Sequence, residues 1–171
     1  DILYQNRTFN LPGHSVRPVW MSVDIPENVH PGDYTGSILI TWQDDSVRMP
    51  YRIRVQELTL PPPSDWSFHL DLWQNPFAIA RVHRVTQWSD EHWQLIRRYL
   101  ALLAGAGQKC ITASIIDHPW HGQTFDPFLP MITWIHNTSG KWDYDYSIFD
   151  QYVETAMDAG ITAQINCYTC L

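Results

Sequence analysis

The 171 residues suffice for one domain or slightly more, and with 44% apolar and 17% charged residues the chain is globular rather than disordered. The net charge is −7, nine of the eleven basic residues are arginine, and no Lys/Arg cluster or basic stripe occurs, which argues against nucleic acid and anionic membrane surfaces as partners. The apolar runs are too short for a spanning helix and no signal segment is visible, while a chain that opens on Asp1 reads as a piece of a longer or processed protein.

Residues 1–60 carry a β pattern and read as the C-terminal strands of a β-sandwich domain. Strands are expected over Val16–Ile25 (VRPVWMSVDI), Gly36–Trp42 (GSILITW) and Val47–Val55, from their polar alternation and β-branched content. Turns are expected at Pro31–Gly36, where Tyr34 is placed to anchor a sandwich corner, and at Gln43–Ser46. So few antiparallel strands do not make a whole sandwich. The prolines of Pro61-Pro62-Pro63-Ser64-Asp65 then mark a linker over 61–65.

From 66 to 171 the pattern is β-α-β-α-β. Trp66–Trp73 is the first expected strand. A helix starts after Ser89, a suitable N-cap with Asp90 and Glu91 in the first turn. Its face is Trp93, Ile96, Leu100 and Leu103, and Gly105 and Gly107 end it. Lys109–Ile116 (KCITASII) lacks polar alternation, as a strand covered on both faces should. A second helix spans Ser147–Ala159, with Phe149, Tyr152, Val153 and Ala156 inward and Gly160 as its stop. Ile161–Tyr168 (ITAQINCY) is the third strand. Alternating strands and helices imply a parallel sheet with right-handed crossovers. A doubly wound sheet and a (β/α) barrel both begin this way. The barrel is favoured because no glycine-rich phosphate loop follows the first strand, and because the strand exits are polar, aromatic and followed by long segments. The expectation is therefore the first three β/α units of a (β/α)8 TIM-type barrel, since a whole barrel takes about 250 residues.

Active sites of such barrels lie at the C-terminal strand ends. Asp71, Trp73, Gln74 and Asn75 leave the first strand there, Asp117-His118-Pro119-Trp120-His121-Gly122-Gln123 the second, and Asn166 and Tyr168 the third. The segment Asp117–Tyr146 far exceeds the usual βα loop. A hairpin is expected within it, Ile132–His136 against Trp142–Tyr144 around Asn137-Thr138-Ser139-Gly140. Amides and carboxylates bond hydroxyls while indoles cover an apolar ring face, so this rim suits a polyhydroxylated ligand. Each residue alone also has a plain structural use: Asp71 capping a loop, Gln74 and Asn75 bonding exposed backbone, His118 and His121 as ordinary loop histidines.

Other chemistry is less well supported. Asp117 and His121 lack a third metal ligand, Asp90-Glu91 sits at a helix start away from the strand ends, and serine-hydrolase and P-loop signatures are absent. Cys110, Cys167 and Cys170 read as spectator thiols rather than a disulfide framework, although the last two form a CxxC. Asn6-Arg7-Thr8 and Asn137-Thr138-Ser139 fit the glycosylation sequon, a weak pattern.

The runs FHLDLWQNPFAIAR, SDEHW, LLAGAGQKCITASI, HPWHGQTFDPF, GKWDYDYSIFDQYVETAMDAGI and QINCY closely resemble the start of the catalytic domain in glycoside hydrolase family 123. The upstream PVWMSVDIPENVHPGDYTGSILI and ELTLPPP resemble the β-sandwich that precedes it, so the likeness covers about residues 16–171. It implies a retaining, exo-acting β-N-acetylgalactosaminidase or a near relative, with a terminal 2-acetamido sugar of a glycan as partner and no cofactor or metal. The implied mechanism is substrate-assisted: the 2-acetamido oxygen attacks the anomeric carbon, an aspartate orients that group, and an adjacent glutamate protonates the leaving oxygen. No position here matches that catalytic pair, which is expected beyond residue 171, in the remainder of the same domain. The rim does carry over: Asp71, Trp73, Gln74, Asn75, Trp120, Gln123, Asp126 and Tyr168 lie in the matching motifs as candidates for substrate binding or its support. Secretion or a periplasmic location follows from the resemblance alone. The competing readings are a noncatalytic glycan-binding module and a scaffold piece that docks a neighbouring domain.

Overall fold

The computed structural model describes residues 8–169. The N-terminal sequon, the CxxC's second cysteine (Cys170) and Leu171 fall wholly or partly outside that range. Contacts divide the chain into two units, Asp1–Thr59 and Leu60–Leu171.

The first unit is built on one antiparallel ribbon, β1 (Gly32–Trp42) and β2 (Asp45–Val55), in register from Gly32 opposite Val55 to Trp42 opposite Asp45. Only Gln43 and Asp44 remain for the turn, and Gln43 takes φ 47°, as two-residue hairpins require. β1 begins earlier than its sequence pattern suggests because the expected turn is absorbed into the ladder. Asp33 pairs with Arg54 across the strands at 2.8 Å, and Tyr34 Oη donates to the His30 carbonyl at 2.9 Å, the backward bond of a tyrosine corner.

The expected strand Val16–Ile25 does not form: these residues make no ladder. Val16 is 94% and Trp20 81% exposed, and Pro18 supplies no donor, so the alternation finds no strand to pair with. Among the described residues the unit holds one two-stranded sheet and no sandwich.

The second unit runs, after a 3-10 turn at Pro63–Asp65, through α1 (Pro76–His83), α2 (Asp90–Gly105), β3 (Cys110–Ser114), β4 (Thr133–His136), β5 (Trp142–Asp145), α3 (Ser147–Asp158) and β6 (Gln164–Tyr168). β3 and β6 pair in parallel, Cys110 beside Gln164 through Ser114 beside Tyr168, while β4 and β5 form the antiparallel hairpin. This is a mixed β/α fold; no closed barrel forms among the described residues.

Ser89 caps α2, its hydroxyl accepting from the His92 N–H at 3.3 Å. Trp93, Ile96 and Leu100 of that helix meet Ile111 and Ala113 of β3 and Tyr152, Val153 and Ala156 of α3 in the core. These are the inward positions that the 3.6-residue period selects, with Leu103 and Phe149 packed at the margin.

Two elements differ from expectation. The strand Trp66–Trp73 shrinks to one parallel bridge, Leu70 to Gln108, with Lys109 N–H donating to the Leu70 carbonyl at 2.9 Å. Beyond Leu70 the chain leaves β3 and side-chain amides replace the ladder, as described below. Helix α1 was not expected from the sequence. Asn75 caps it, accepting from Phe77 N–H at 3.1 Å and Ala78 N–H at 3.2 Å, and Pro76 fills the first helical position, where its missing N–H costs nothing. The prolines at 61–65 pack on this unit: Trp66 Nε1 donates to the Pro61 carbonyl at 2.7 Å and Lys109 Nζ to the Ser64 carbonyl at 2.9 Å. Gly107 is required here, at φ 85° with the Trp66 ring 2.9 Å from where a Cβ would stand.

Candidate functional site

Side chains alternate across β3. Ile111 and Ala113 face the helices, which leaves Cys110, Thr112 and Ser114 on the other face, beside Gln164, Asn166 and Tyr168 of β6. At the C-terminal end of that face three aromatic rings gather. Trp73 stacks on Trp120 with centroids 5.0 Å apart and 28° between planes, and Tyr168 lies 5.2 Å from Trp73 and 4.6 Å from Trp120. Phe128 meets Trp120 edge-on at 4.4 Å. Trp73 remains 53% exposed, so the cluster presents open aromatic surface.

Asp71 belongs to the same cluster. Its Oδ2 accepts from Asn166 Nδ2 at 3.0 Å, while Oδ1 is buried with no partner. Burial first, then the Asp71 charge, push the Cys110 thiol up, so it stays protonated; its Sγ lies 3.3 Å from His69 Nε2. Burial and then Asp71 and Cys110 likewise push the Tyr168 phenol up, which keeps its hydroxyl a donor. The cluster therefore offers aromatic faces, a hydroxyl and a carboxylate held by an amide.

The other rim candidates have structural partners. Gln74 is buried between the Leu70–Leu72 segment and β3. Its Oε1 accepts from Thr112 N–H at 2.7 Å, and its Nε2 donates to the carbonyls of Leu72 and, at 3.2 Å, Cys110. Gln108 does the same one step earlier, accepting from Leu72 N–H at 2.9 Å and donating to the Leu72 and Cys110 carbonyls. The two amides thus stand in for the missing ladder bonds. Asn75 is the α1 cap and also donates to the Asp126 carbonyl at 3.4 Å. The Asp126 carboxylate takes a two-pronged bond from Arg81, Nε at 2.5 Å and Nη2 at 2.9 Å. This pins the loop that carries Trp120 onto α1.

Gln123 stands apart, exposed in a tight turn where its N–H donates to the Trp120 carbonyl at 3.2 Å. In that turn His118 and His121 take φ 45° and 51°, and His121 N–H bonds the His118 carbonyl at 3.0 Å. The backbone, not imidazole chemistry, accounts for this stretch. Asp117 lies 3.7 Å from His118, both exposed. Of the eight candidates, Asp71, Trp73, Trp120 and Tyr168 converge; Gln74, Asn75 and Asp126 form the frame beside them. The sequence assigns no role to Phe128 or Arg81, whereas Asn166, placed on the rim with Tyr168 by their two-residue period, is the partner of Asp71. Asp90 and Glu91 lie in the first turn of α2, exposed, and form no acid–base pair with the cluster.

Two family models match the chain: "Glycoside hydrolase 123, catalytic domain" over residues 73–171, and "Glycoside hydrolase 123 N-terminal domain" over residues 1–42. Among solved structures, a family 123 glycoside hydrolase from Clostridium perfringens, described for its glycolipid glycan hydrolysis, is 31% identical with a TM-score of 0.76. The match covers 84% of this chain and 27% of that one, so the chain spans about a quarter of that structure's length. A comparison with curated proteins gives no match.

Proposed function

The chain belongs to glycoside hydrolase family 123, and from that premise we propose that it forms the sugar-holding side of a retaining, exo-acting β-N-acetylgalactosaminidase. The single observation that carries the reading is the Trp73–Trp120–Tyr168 cluster, joined to the Asp71–Asn166 pair at one end of the parallel strands. Aromatic faces cover the C–H face of a pyranose, and a phenol and a carboxylate beside them meet hydroxyls. The residues described here hold the sugar; they do not break its bond. In this proposal the acetamido oxygen of the substrate is the nucleophile, and the Asp-Glu pair that orients it and protonates the leaving oxygen lies beyond residue 171. The glycan substrate fits a secreted or periplasmic protein.

The test is hydrolysis of an aryl 2-acetamido-2-deoxy-β-galactoside by the full-length gene product, beside its gluco epimer and its 2-hydroxy analogue. Turnover of the galacto substrate above its epimer, with none of the 2-hydroxy analogue, is expected, because removing the acetamide removes the nucleophile. Equal turnover of the 2-hydroxy analogue would overturn substrate assistance. Sugar binding with no turnover of any of the three would turn the reading to a noncatalytic glycan-binding module.

A further inference from the structure

Trp66 and Trp134 anchor their indole N–H groups on the carbonyls of Pro61 and Ile115, at 2.7 and 2.9 Å. Among the described residues no hydrogen bond holds the N–H of Trp73 or Trp120, or the hydroxyl of Tyr168. These three rings are held by contact with one another and, for Trp120, with Phe128. The backbone beside Trp73 is fixed by contrast. Gln108 bonds the N–H and carbonyl of Leu72 before it, and Gln74 is buried after it. The freedom at this position belongs to the side chain.

Behind the rings the chemistry is unsatisfied. Asp71 and Asn166 precede Trp73 and Tyr168 by two residues each, and their mutual bond sets the pair one step deeper than the rings. Among the described residues two buried side-chain polar atoms have no partner, Asp71 Oδ1 and Thr112 Oγ1, and Thr112 lies beside Asn166 in the β3–β6 register. The carboxylate oxygen is the costlier of the two, because a charged acceptor has lost its hydration with no compensating bond. A sugar hydroxyl is a donor that would satisfy it. Yet the aromatic surface of the cluster is open while its carboxylate oxygen is shut away.

We propose that Trp73 is a gate: stacked on Trp120 it closes the cluster over Asp71, and a bound sugar takes the place of Trp120 against the Trp73 ring while one of its hydroxyls donates to Asp71 Oδ1. One ring contact of Trp73 gives way to another, a pyranose C–H face for an indole, and the orphan oxygen gains its donor. The proposal rests on the sugar-binding reading of this cluster and adds that the cluster opens to hold the sugar.

The experiment uses the full-length protein and methyl 2-acetamido-2-deoxy-β-galactoside. Two stacked indoles couple their transitions and give a paired circular dichroism band. The double difference across Trp73→Phe, Trp120→Phe and the variant carrying both isolates that band from the other tryptophans. In the wild type the band should lose most of its amplitude as sugar is added, along the same curve that isothermal titration gives for binding. That titration does not depend on the variants folding. Binding with an unchanged band, or no band in the sugar-free protein, would overturn the gate and leave the sugar reading standing. No binding at all would overturn both.

Discussion

The wedge between the Leu70–Leu72 segment and β3 and the aromatic cluster beside it both draw on one stretch of chain, FHLDLWQNP, yet its residues do opposite things in the two places. In the wedge, Gln74 and Gln108 spend their amides on backbone groups of Leu72, Cys110 and Thr112, and Asn75 spends its carbonyl on the first turn of α1. In the cluster, Trp73 leaves half its surface open and Asp71 keeps one oxygen without a partner. Polar residues at a strand exit are therefore not all ligands. Those whose bonds are already made hold the frame, and those left open are the ones to which the proposed function gives a sugar.

The largest test of this division is Gln74→Leu in the full-length protein. It removes the acceptor of Thr112 N–H and a donor to the Leu72 and Cys110 carbonyls in a buried place. Gln108 still donates to both carbonyls, so Thr112 N–H is the group left unpaired; a loss of about 1–3 kcal/mol is expected in urea unfolding, with sugar affinity per folded molecule unchanged. Intact stability with lost affinity would make Gln74 a ligand and break the comparison. Trp120→Ala is the converse. It should weaken binding of the methyl glycoside about tenfold, about 1.4 kcal/mol, while the unfolding midpoint moves little. Isothermal titration and urea unfolding of the same preparation decide between the two outcomes.

What sequence reveals here follows the range of the interaction. Helices α2 and α3 are legible because their apolar spacing is local, and β3 because a strand covered on both faces needs no alternation. The hairpin is legible from a turn between two aromatic runs. Val16–Ile25 and Trp66–Trp73 are not, because alternation promises a face but not a neighbour, and a strand exists only where a ladder partner is present. Asn75-Pro76 is a helix start whose side chain looks like site chemistry until the two N–H groups it accepts from are seen. The site is legible as a set of residues and not as a set of roles. Trp73, Trp120 and Tyr168 share only a type of position in the sequence, a strand end, and the structure brings their rings together, whereas the partners of Asn75, Gln74 and Arg81 lie far along the chain, at Asp126, Cys110 and Thr112.

A smaller effect separates frame from surface within the loop that carries Trp120. Asp126→Asn removes the carboxylate that Arg81 grips. The Arg81 side chain is half exposed, so water screens the pair and only a small loss of stability is expected. The local consequence should be clearer than the global one: the stacked Trp73–Trp120 pair loosens, and its near-ultraviolet circular dichroism falls. An unaltered spectrum would mean that Phe128 and Tyr168 hold Trp120 without the clamp.

The smallest effect concerns pH and the frame alone. His92 is fully buried, with Nδ1 accepting from Trp88 N–H at 2.9 Å and Nε2 2.9 Å from the Pro76 carbonyl. That pattern satisfies the neutral ring with its hydrogen on Nε2, because a second hydrogen on Nδ1 would face the Trp88 N–H. Burial pushes the ring's pKa below its ordinary value of 6.5, and the Pro76 carbonyl pulls it partly back. The unfolded chain then binds the proton first as pH falls. Stability from this group is complete above about pH 6.5, declines as pH drops through that unfolded value, and stops declining below the folded one. Urea midpoints at pH 7.5 and 5.5 should therefore differ in the wild type and differ less in His92→Gln. Sugar affinity corrected for the folded fraction should owe none of its change over this range to His92, since that ring contacts α1 and the Trp88 turn rather than the aromatic cluster. An affinity change that vanished in His92→Gln would tie the frame to the open surface and end the separation between them.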